Sequence, residues 1–337
     1  MKVIELRDDW SLDHLVRAER PEPEPGPGEV VLKLKAAALN YRDLIVARRG
    51  YGSMTGTLPL IPISDGVGEV VAVGPGVSRA AVGDRVCPIF HQGWLGGAPL
   101  REIFATTLGG PLDGVMAELM VLGEEGLVAV PEHLSDEEAA TLPCAAVTAW
   151  NALVTAGGVK AGDKVLVQGT GGVALFALQI AKLHGAEVII TSSSDAKLAR
   201  AAELGADHGL NYREVPEWGK AVRELSGGAG VDLVVEVGGA ETLPQSLRAI
   251  RVGGHISVMG VLSGPVAKLP IGAFVARNAR LQAITVGSRE SFEALLRAIA
   301  LNRLKPVVDR VFAFDELRAA LDHLASGAHF GKVCIRH

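Results

Sequence analysis

Apolar and polar positions along this chain follow two different rhythms. In the first third, VVLKLKAAALN (30–40) and GEVVAVGPGV (68–77) alternate or run apolar and stop at turn residues, as do the segments around DRVCPIF and MAELMVL. That period predicts short strands, and their spacing suggests a β-barrel or sandwich. NYRDLIVARRG (40–50) predicts one short helix. The stretch from Phe90 to Gly114 is rich in glycine and lacks a period, which points to a functional lid in a compact domain.

Near residue 133 the rhythm changes. SDEEAATLPCAAVTAWNALVTAG predicts helices, with Ser135 as the N-cap ahead of Asp and Glu. From Asp163 the pattern alternates. KVLVQG, EVIITSS, VDLVVEVGG and HISVMG are strands, and ALFALQIAKLHG, DAKLARAAELG and TLPQSLRAIRVGG are the helices between them. This is the signature of a parallel sheet with helices on both faces, its strands continuously apolar because both faces are covered. After Ser291 come a helix (FEALLRAIALNRL), a strand (PVVDRVFAF), another helix (DELRAALDHLASG) and a last strand, a tail expected to return to the first domain.

Composition narrows the class. The 337 residues suit two domains. A net charge of −5, with no run of Lys or Arg longer than a pair, forms no basic stripe for nucleic acid or an anionic membrane. No signal-peptide core or membrane span is visible. Cys87, Cys144 and Cys334 are sparse and odd in number, which argues for a reducing compartment, so the protein is read as cytoplasmic.

The candidate chemistry begins at VLVQGTGGVALFALQIAK (165–182). Gly169-Thr170-Gly171-Gly172-Val173-Ala174 follows a strand, opens a helix and matches the dinucleotide fingerprint with Ala at its third small position. Gly169 permits the tight turn, Gly171 lets backbone approach a pyrophosphate, and the helix N-terminus offers free N–H groups to the anion. An NAD site carries an acid at the end of the second strand. Here the strand ends in Ser192-Ser193-Ser194, and Asp195 is placed in the next helix's cap. With Lys197 following, the expectation is NADPH in preference to NADH. The other reading of Lys197 is a solvated helix charge. Tyr212 and Arg213 add a stacking face and a cation on the adenosine side. Val237-Gly238 and Gly260-Val261 stand at the carboxyl ends of later strands, where a dinucleotide lies.

These motifs, together with NYRD, PISDGVGEVVAVGPGVSRAAVGDRV and GADHGLNYR, resemble the medium-chain dehydrogenase/reductase superfamily over nearly the whole chain. The resemblance implies an α/β protein with a β-rich GroES-like catalytic domain (1–143 and 288–337), a Rossmann domain with a doubly wound parallel sheet (144–287), and an active site in the cleft between them. It also implies a homodimer joined at the edge strand ARLQAITVG (279–287). By family analogy Thr148 contacts the nicotinamide ribose, and Phe330 and Lys332 of HFGK return to the cofactor. In zinc-dependent members a Cys stands where this chain has Asn40 or Tyr41, and Gly-His-Glu where it has Ser64-Asp65-Gly66. Only the third ligand position keeps a Cys, Cys144, and one soft ligand cannot hold a catalytic zinc. The chain therefore resembles the zinc-free branch, similar to quinone oxidoreductases and enoyl reductases, with no metal expected.

Without a metal or a Tyr-x-x-x-Lys pair, an electrophilic small molecule is the fitting substrate, a quinone or an α,β-unsaturated carbonyl compound. Asn40 is the candidate donor to a ribose or substrate oxygen. Tyr51 is the candidate proton donor, with a plain lid residue as its other reading. Asp43 is read as structural. His91 and Trp94 are either pocket walls or lid packing. Two alternatives stay open: an alcohol or aldehyde dehydrogenase of the same superfamily, and a non-catalytic NADPH-binding protein.

Overall fold

The structure is a computed structural model that describes residues 1–264 and 266–337. The chain divides into two compact units, Met1–Val147 with Ser288–His337, and Thr148–Gly287.

The first unit is built on a seven-stranded sheet. Along it lie Val308–Ala313, Lys332–Arg336, Glu29–Ala38, Asp65–Val73, Arg85–Pro88 and Leu127–Ala129, and Leu119–Gly123 pairs with Glu29–Ala38 as well. Glu29–Ala38 is the hub. Its register sets Ala38 opposite Asp65 on one side and opposite Cys334 on the other. Ala36, Ala37 and Ala38 are fully buried there, and Gly66 opposite them is closely packed, since a Cβ would come 3.0 Å from Val115 Cγ1 and 3.2 Å from Ala36 O. Small residues let three strand ends converge, and the chain continues straight from this point into Asn40. The core beneath is aliphatic, with Leu32, Leu39, Ile63, Leu108, Met116 and Val333 all at 1% exposure or less.

The stretch from Phe90 to Gly114, expected to be an irregular lid, is held more firmly than its sequence suggests. It contains a 3-10 helix, Arg101–Thr106, and His91 bridges to Thr107. His91 and Trp94 are buried, with their rings 6.1 Å apart, so both pack inside the segment. The glycines hid this order, because aromatic packing and not periodicity creates it.

The second unit holds a six-stranded parallel sheet in the order His208–Asn211, Glu187–Ser192, Lys164–Gln168, Val231–Glu236, Ile250–Val258, Arg280–Ala283. Numbered within the unit that is 3-2-1-4-5-6, so the strand order reverses beside Lys164–Gln168, the place where doubly wound sheets bind ligands. Val165, Leu166, Val167, Val188, Ile189 and Ile190 are fully buried, as strands covered on both faces require. The helix Gly172–Leu183 packs its alanines and leucines onto this sheet. One boundary differs from expectation. The helix read over TLPQSLRAIRVGG stops at Ala249, and Ile250 already begins a strand, with Gly253 at φ +74° inside it. Burial of Ile250 against Val231 outweighs the local helical pattern. Among the described residues no helix is long and apolar enough to cross a membrane.

Candidate active site

In the second unit, the glycine turn has the features a pyrophosphate needs. Gly169 sits at φ +76°, where a side chain is strained, and no atom lies within 4 Å of where its Cβ would stand. Its N–H bonds Thr191 O at 2.8 Å, which ties the turn to the second strand. Gly171 precedes the helix Gly172–Leu183 with no side-chain cap, so the first N–H groups stay available to an anion. Thr170 is buried and Val173 half-buried at this turn.

The second strand ends at buried Ser192, whose Oγ accepts from Ser194 N, and Ser193 is half-buried. Ser194 caps the helix Asp195–Glu203, accepting from Lys197 N. Asp195 is the first helical residue, and its carboxylate accepts from Asn211 Nδ2 at 2.9 Å. Tyr212 N bonds Ser192 O, which brings that exposed ring to the end of the second strand. A nearby open groove of about 620 Å³ includes Asp195, Glu214 and Glu224 in its wall, and these three carboxylates make it unsuited to a phosphate.

The fourth and fifth strand ends also converge. Gly260 is so close to Val237 that a Cβ would lie 1.9 Å from Val237 O, and Ser263 N and Oγ both bond Gly238 O. Val261 is exposed at the rim, and Thr148 is buried in the helical turn Val147–Trp150. Beneath the loop lies a group that the sequence reading missed. Glu236, fully buried, takes donations through Oε1 from Gly238 N, Gly239 N and Thr242 Oγ1, and through Oε2 from Gln168 Nε2 and Ser246 Oγ. Gln168 Oε1 in turn accepts from Val237 N and Gly238 N. The available signal was an acid and an amide at the ends of otherwise apolar strands, where a buried charge demands partners.

In the first unit, a buried polar chain runs through Asn40. The Lys332 ammonium, 3% exposed, donates to Leu39 O and to Asn40 Oδ1, both at 2.6 Å. Asn40 Nδ2 points to Ser64 Oγ at 3.5 Å, and Ser64 Oγ donates to Asp65 Oδ1 at 2.7 Å. Asp65 Oδ2 accepts from Cys144 N at 2.9 Å. Burial pushes the Asp65 carboxyl up, against the pull of Lys332. The Lys332 ammonium is held by residues 39 and 40, and Phe330 is buried with its N–H on Asp309 Oδ1.

The helix Tyr41–Val46 follows, started by Asp43 Oδ2, which accepts from Asn40 N at 2.7 Å. Asp43 Oδ1 is buried without a hydrogen-bond partner, 3.8 Å from Arg42 Nη1, and burial raises the Asp43 carboxyl to about 6. Arg42 itself donates to Leu108 O and Gly110 O and covers the Phe90 ring. Tyr51 is partly exposed, and its phenol is raised by burial, with the charges of Arg42, Cys144 and Asp43 acting on it. It therefore keeps its proton at neutral pH. Burial lowers His91 to about 4, leaving that ring neutral.

The donor set does not suit zinc. Two of the three positions that hold the metal in zinc-dependent members carry an amide, Asn40, and a Ser-Asp pair tied to it. The third, Cys144, is the one soft donor among them, and a catalytic zinc needs three protein ligands. Among the described residues no group of three or more His, Cys, Asp or Glu side chains is placed to hold a metal. The glycine turn, by contrast, fits a dinucleotide.

Comparison with known proteins defines the class. Residues 172–300 match the zinc-binding dehydrogenase family and residues 26–132 the alcohol dehydrogenase GroES-like domain. The chain belongs to the medium-chain dehydrogenase/reductase superfamily, with a GroES-like unit and a Rossmann-like parallel sheet, and it is an NAD(P)-dependent oxidoreductase of that superfamily. It is similar to a zinc-type alcohol dehydrogenase-like protein of Schizosaccharomyces pombe, 44% identical over 91% of this chain and 90% of the relative. Among solved structures it is similar to a Sinorhizobium meliloti protein provisionally described as an alcohol dehydrogenase (46% identity, TM-score 0.94, 100% and 98% of the two chains). It is also similar to an NAD-dependent alcohol dehydrogenase (38% identity, TM-score 0.91, all of both chains). More distant are an acryloyl-coenzyme A reductase of Sulfurisphaera tokodaii, 28% identical over 94% and 95% of the two chains, and a mycobacterial protein solved with NADPH, 29% identical over all of both chains with a TM-score of 0.83.

Proposed function

We propose that this oxidoreductase works without zinc and reduces quinones or α,β-unsaturated carbonyl compounds, with NADPH as the preferred cofactor. The observation that carries the reading is the Lys332–Asn40–Ser64–Asp65 chain, which fills with hydrogen-bonded neutral and ion-balanced groups the positions where a metal would need soft or imidazole donors. When bound, NADPH supplies hydride to the electrophilic carbon. The chain's own part is orientation and charge. The Asn40 amide is the donor to a ribose or substrate oxygen, and Tyr51 holds a proton for the carbanion or enolate that results. The hydroxyls of Ser192 and Ser193, the Lys197 cation and an Asp195 already bonded to Asn211 favour a 2′-phosphate over a bare ribose hydroxyl. The acryloyl-coenzyme A reductase relative, which by its name acts on an α,β-unsaturated substrate, supports the acceptor class.

The names of the nearer relatives favour a second reading, an alcohol dehydrogenase that recruits metal. NADPH oxidation by metal-stripped protein, followed with an ortho-quinone and an enone in the presence of chelator, separates the two. Turnover that persists under chelation is expected. Turnover seen only after zinc and an alcohol are supplied overturns the proposal.

A further inference from the structure

The six-stranded sheet of the second unit has two edges. At one of them His208–Asn211 pairs only with Glu187–Ser192, so the outer row of its backbone N–H and C=O groups has no strand beside it. Successive residues of a strand point to opposite faces. Leu210 turns to the face where Trp218 and Val222, from the helix Trp218–Leu225, join the core. Gly209 turns to the other face, where a Cβ would stand 3.3 Å from Leu198 Cβ of the helix Asp195–Glu203. One helix therefore flanks the edge on each face. The open groove of about 620 Å³ takes its wall from the strand and from both helices, so it lies over the edge itself.

The edge is open to a further backbone. The strand HGLN carries no proline, pairs without a register shift, and exposes Gly209. Glycine inside a strand often marks a place where another backbone comes close. The groove also selects what can enter. Leu198, Leu210 and Leu225 give it apolar surface, and Asp195, Glu214 and Glu224 give it three exposed carboxylates, while no Lys, Arg or His lines it among the described residues. Glu224 lies 3.9 Å from Lys220, a pair too exposed and too loose to neutralise it. Such a wall repels an acidic chain and attracts a basic one. The carboxylates alone would hold a free cation weakly, because water and salt screen them. The unpaired ladder beneath them is what favours a polypeptide over a small ion.

We propose that the free edge of His208–Asn211 is a docking site for an extended basic peptide segment of a partner protein, which adds to the sheet as a seventh strand. The partner's backbone completes the ladder. Its neighbouring apolar side chains go to opposite faces, one onto Leu198 and the next onto Leu225, and its lysines reach the three carboxylates. The site makes no use of the acceptor, the metal or the proton donor discussed above, so it is independent of the reaction.

The probe is an acetylated, amidated peptide, Lys-Lys-Val-Leu-Lys-Lys, labelled with a fluorophore and titrated with the full chain at low salt while anisotropy is followed. Saturable binding with a Kd on the order of 100 µM or tighter is expected. Two control peptides should bind at least about tenfold more weakly. One has Glu in place of Lys, which reverses the charge. The other is N-methylated along its backbone, which keeps the side chains and cannot complete a ladder. Glu214→Lys with Glu224→Lys should weaken binding of the lysine peptide by about tenfold or more, with Tm unchanged because both positions are exposed. Hydrogen exchange should slow over residues 208–212 when the peptide binds. No saturation by about 1 mM, equal binding of either control peptide, indifference to the charge reversal, or protection at the Arg280–Ala283 edge instead overturns the proposal. If the double variant fails to fold, the exchange map and the N-methylated peptide, both measured on wild-type protein, still decide it.

Discussion

Changing Glu236 to Gln tests the polar knot under the cofactor loop with almost no change in shape. Glu236 accepts five hydrogen bonds, three at Oε1 and two at Oε2, from Gly238 N, Gly239 N, Thr242 Oγ1, Gln168 Nε2 and Ser246 Oγ. A glutamine keeps one acceptor oxygen, set best at the Oε1 position with its three donors. Its NH2 then faces Ser246 Oγ, which can rotate and accept, and Gln168 Nε2, which cannot. Flipping Gln168 relieves that clash but aims its NH2 at Val237 N and Gly238 N, which its carbonyl now satisfies. Either arrangement leaves at least one buried donor unpaired, at about 1–3 kcal/mol each. The remaining bonds lose their charge assistance, and the lower desolvation cost of a neutral amide offsets part of that. The net loss is about 2–4 kcal/mol, a fall in Tm of roughly 3–6 °C for a chain of 337 residues. Because Gly238 and Val237 are the residues held, NADPH binding should weaken in parallel by about tenfold or more, one decade per 1.4 kcal/mol. The assay is thermal unfolding alongside NADPH titration followed by nicotinamide fluorescence. A Tm within about 2 °C of wild type refutes the energetic reasoning. A lowered Tm with unaltered NADPH affinity refutes the placing of the dinucleotide on the 237–238 loop.

The Asp43 carboxyl titrates near 6 in the folded protein and near 3.8 when unfolded, so its neutral form stabilises the fold fully below about pH 4, and that contribution is lost as pH rises to about 6. Asp43→Asn keeps an acceptor for Asn40 N and removes the ionisation; chemical denaturation should show wild type losing up to about 3 kcal/mol relative to the variant between pH 4 and 6 and nothing further above pH 7. A parallel pair of pH profiles would sink this account. The double change Ser192→Asp with Lys197→Ala should move the NADPH/NADH ratio of kcat/KM toward NADH by at least about tenfold, because a carboxylate repels a 2′-phosphate and accepts from a ribose hydroxyl. Unchanged discrimination would put the 2′-phosphate elsewhere.

The class of fold was legible because it depends on local pattern. Continuous apolar strands separated by amphipathic helices bury their surfaces in a parallel sheet covered on both faces, and GTGGVA after a strand marks a turn that needs Gly169 at positive φ. Ser135 could be read as a cap for the same reason, since a cap bonds within three residues of itself, while the cap expected at Asp195 falls one residue earlier, on Ser194. Order in the Phe90–Gly114 stretch was illegible, because His91, Trp94 and Phe104 meet through ring contacts that leave no period.

What the sequence by itself determined about this protein is therefore its local grammar: two rhythms and the glycine turn between strand and helix. Which distant side chains meet was decided only by tertiary structure. Lys332 is separated from Asn40 by 292 positions and Gln168 from Glu236 by 68, yet each pair is in hydrogen-bond contact. Strand register makes both pairs, and register follows from how whole strands bury their faces together, a sum over the sheet that no short stretch of sequence contains.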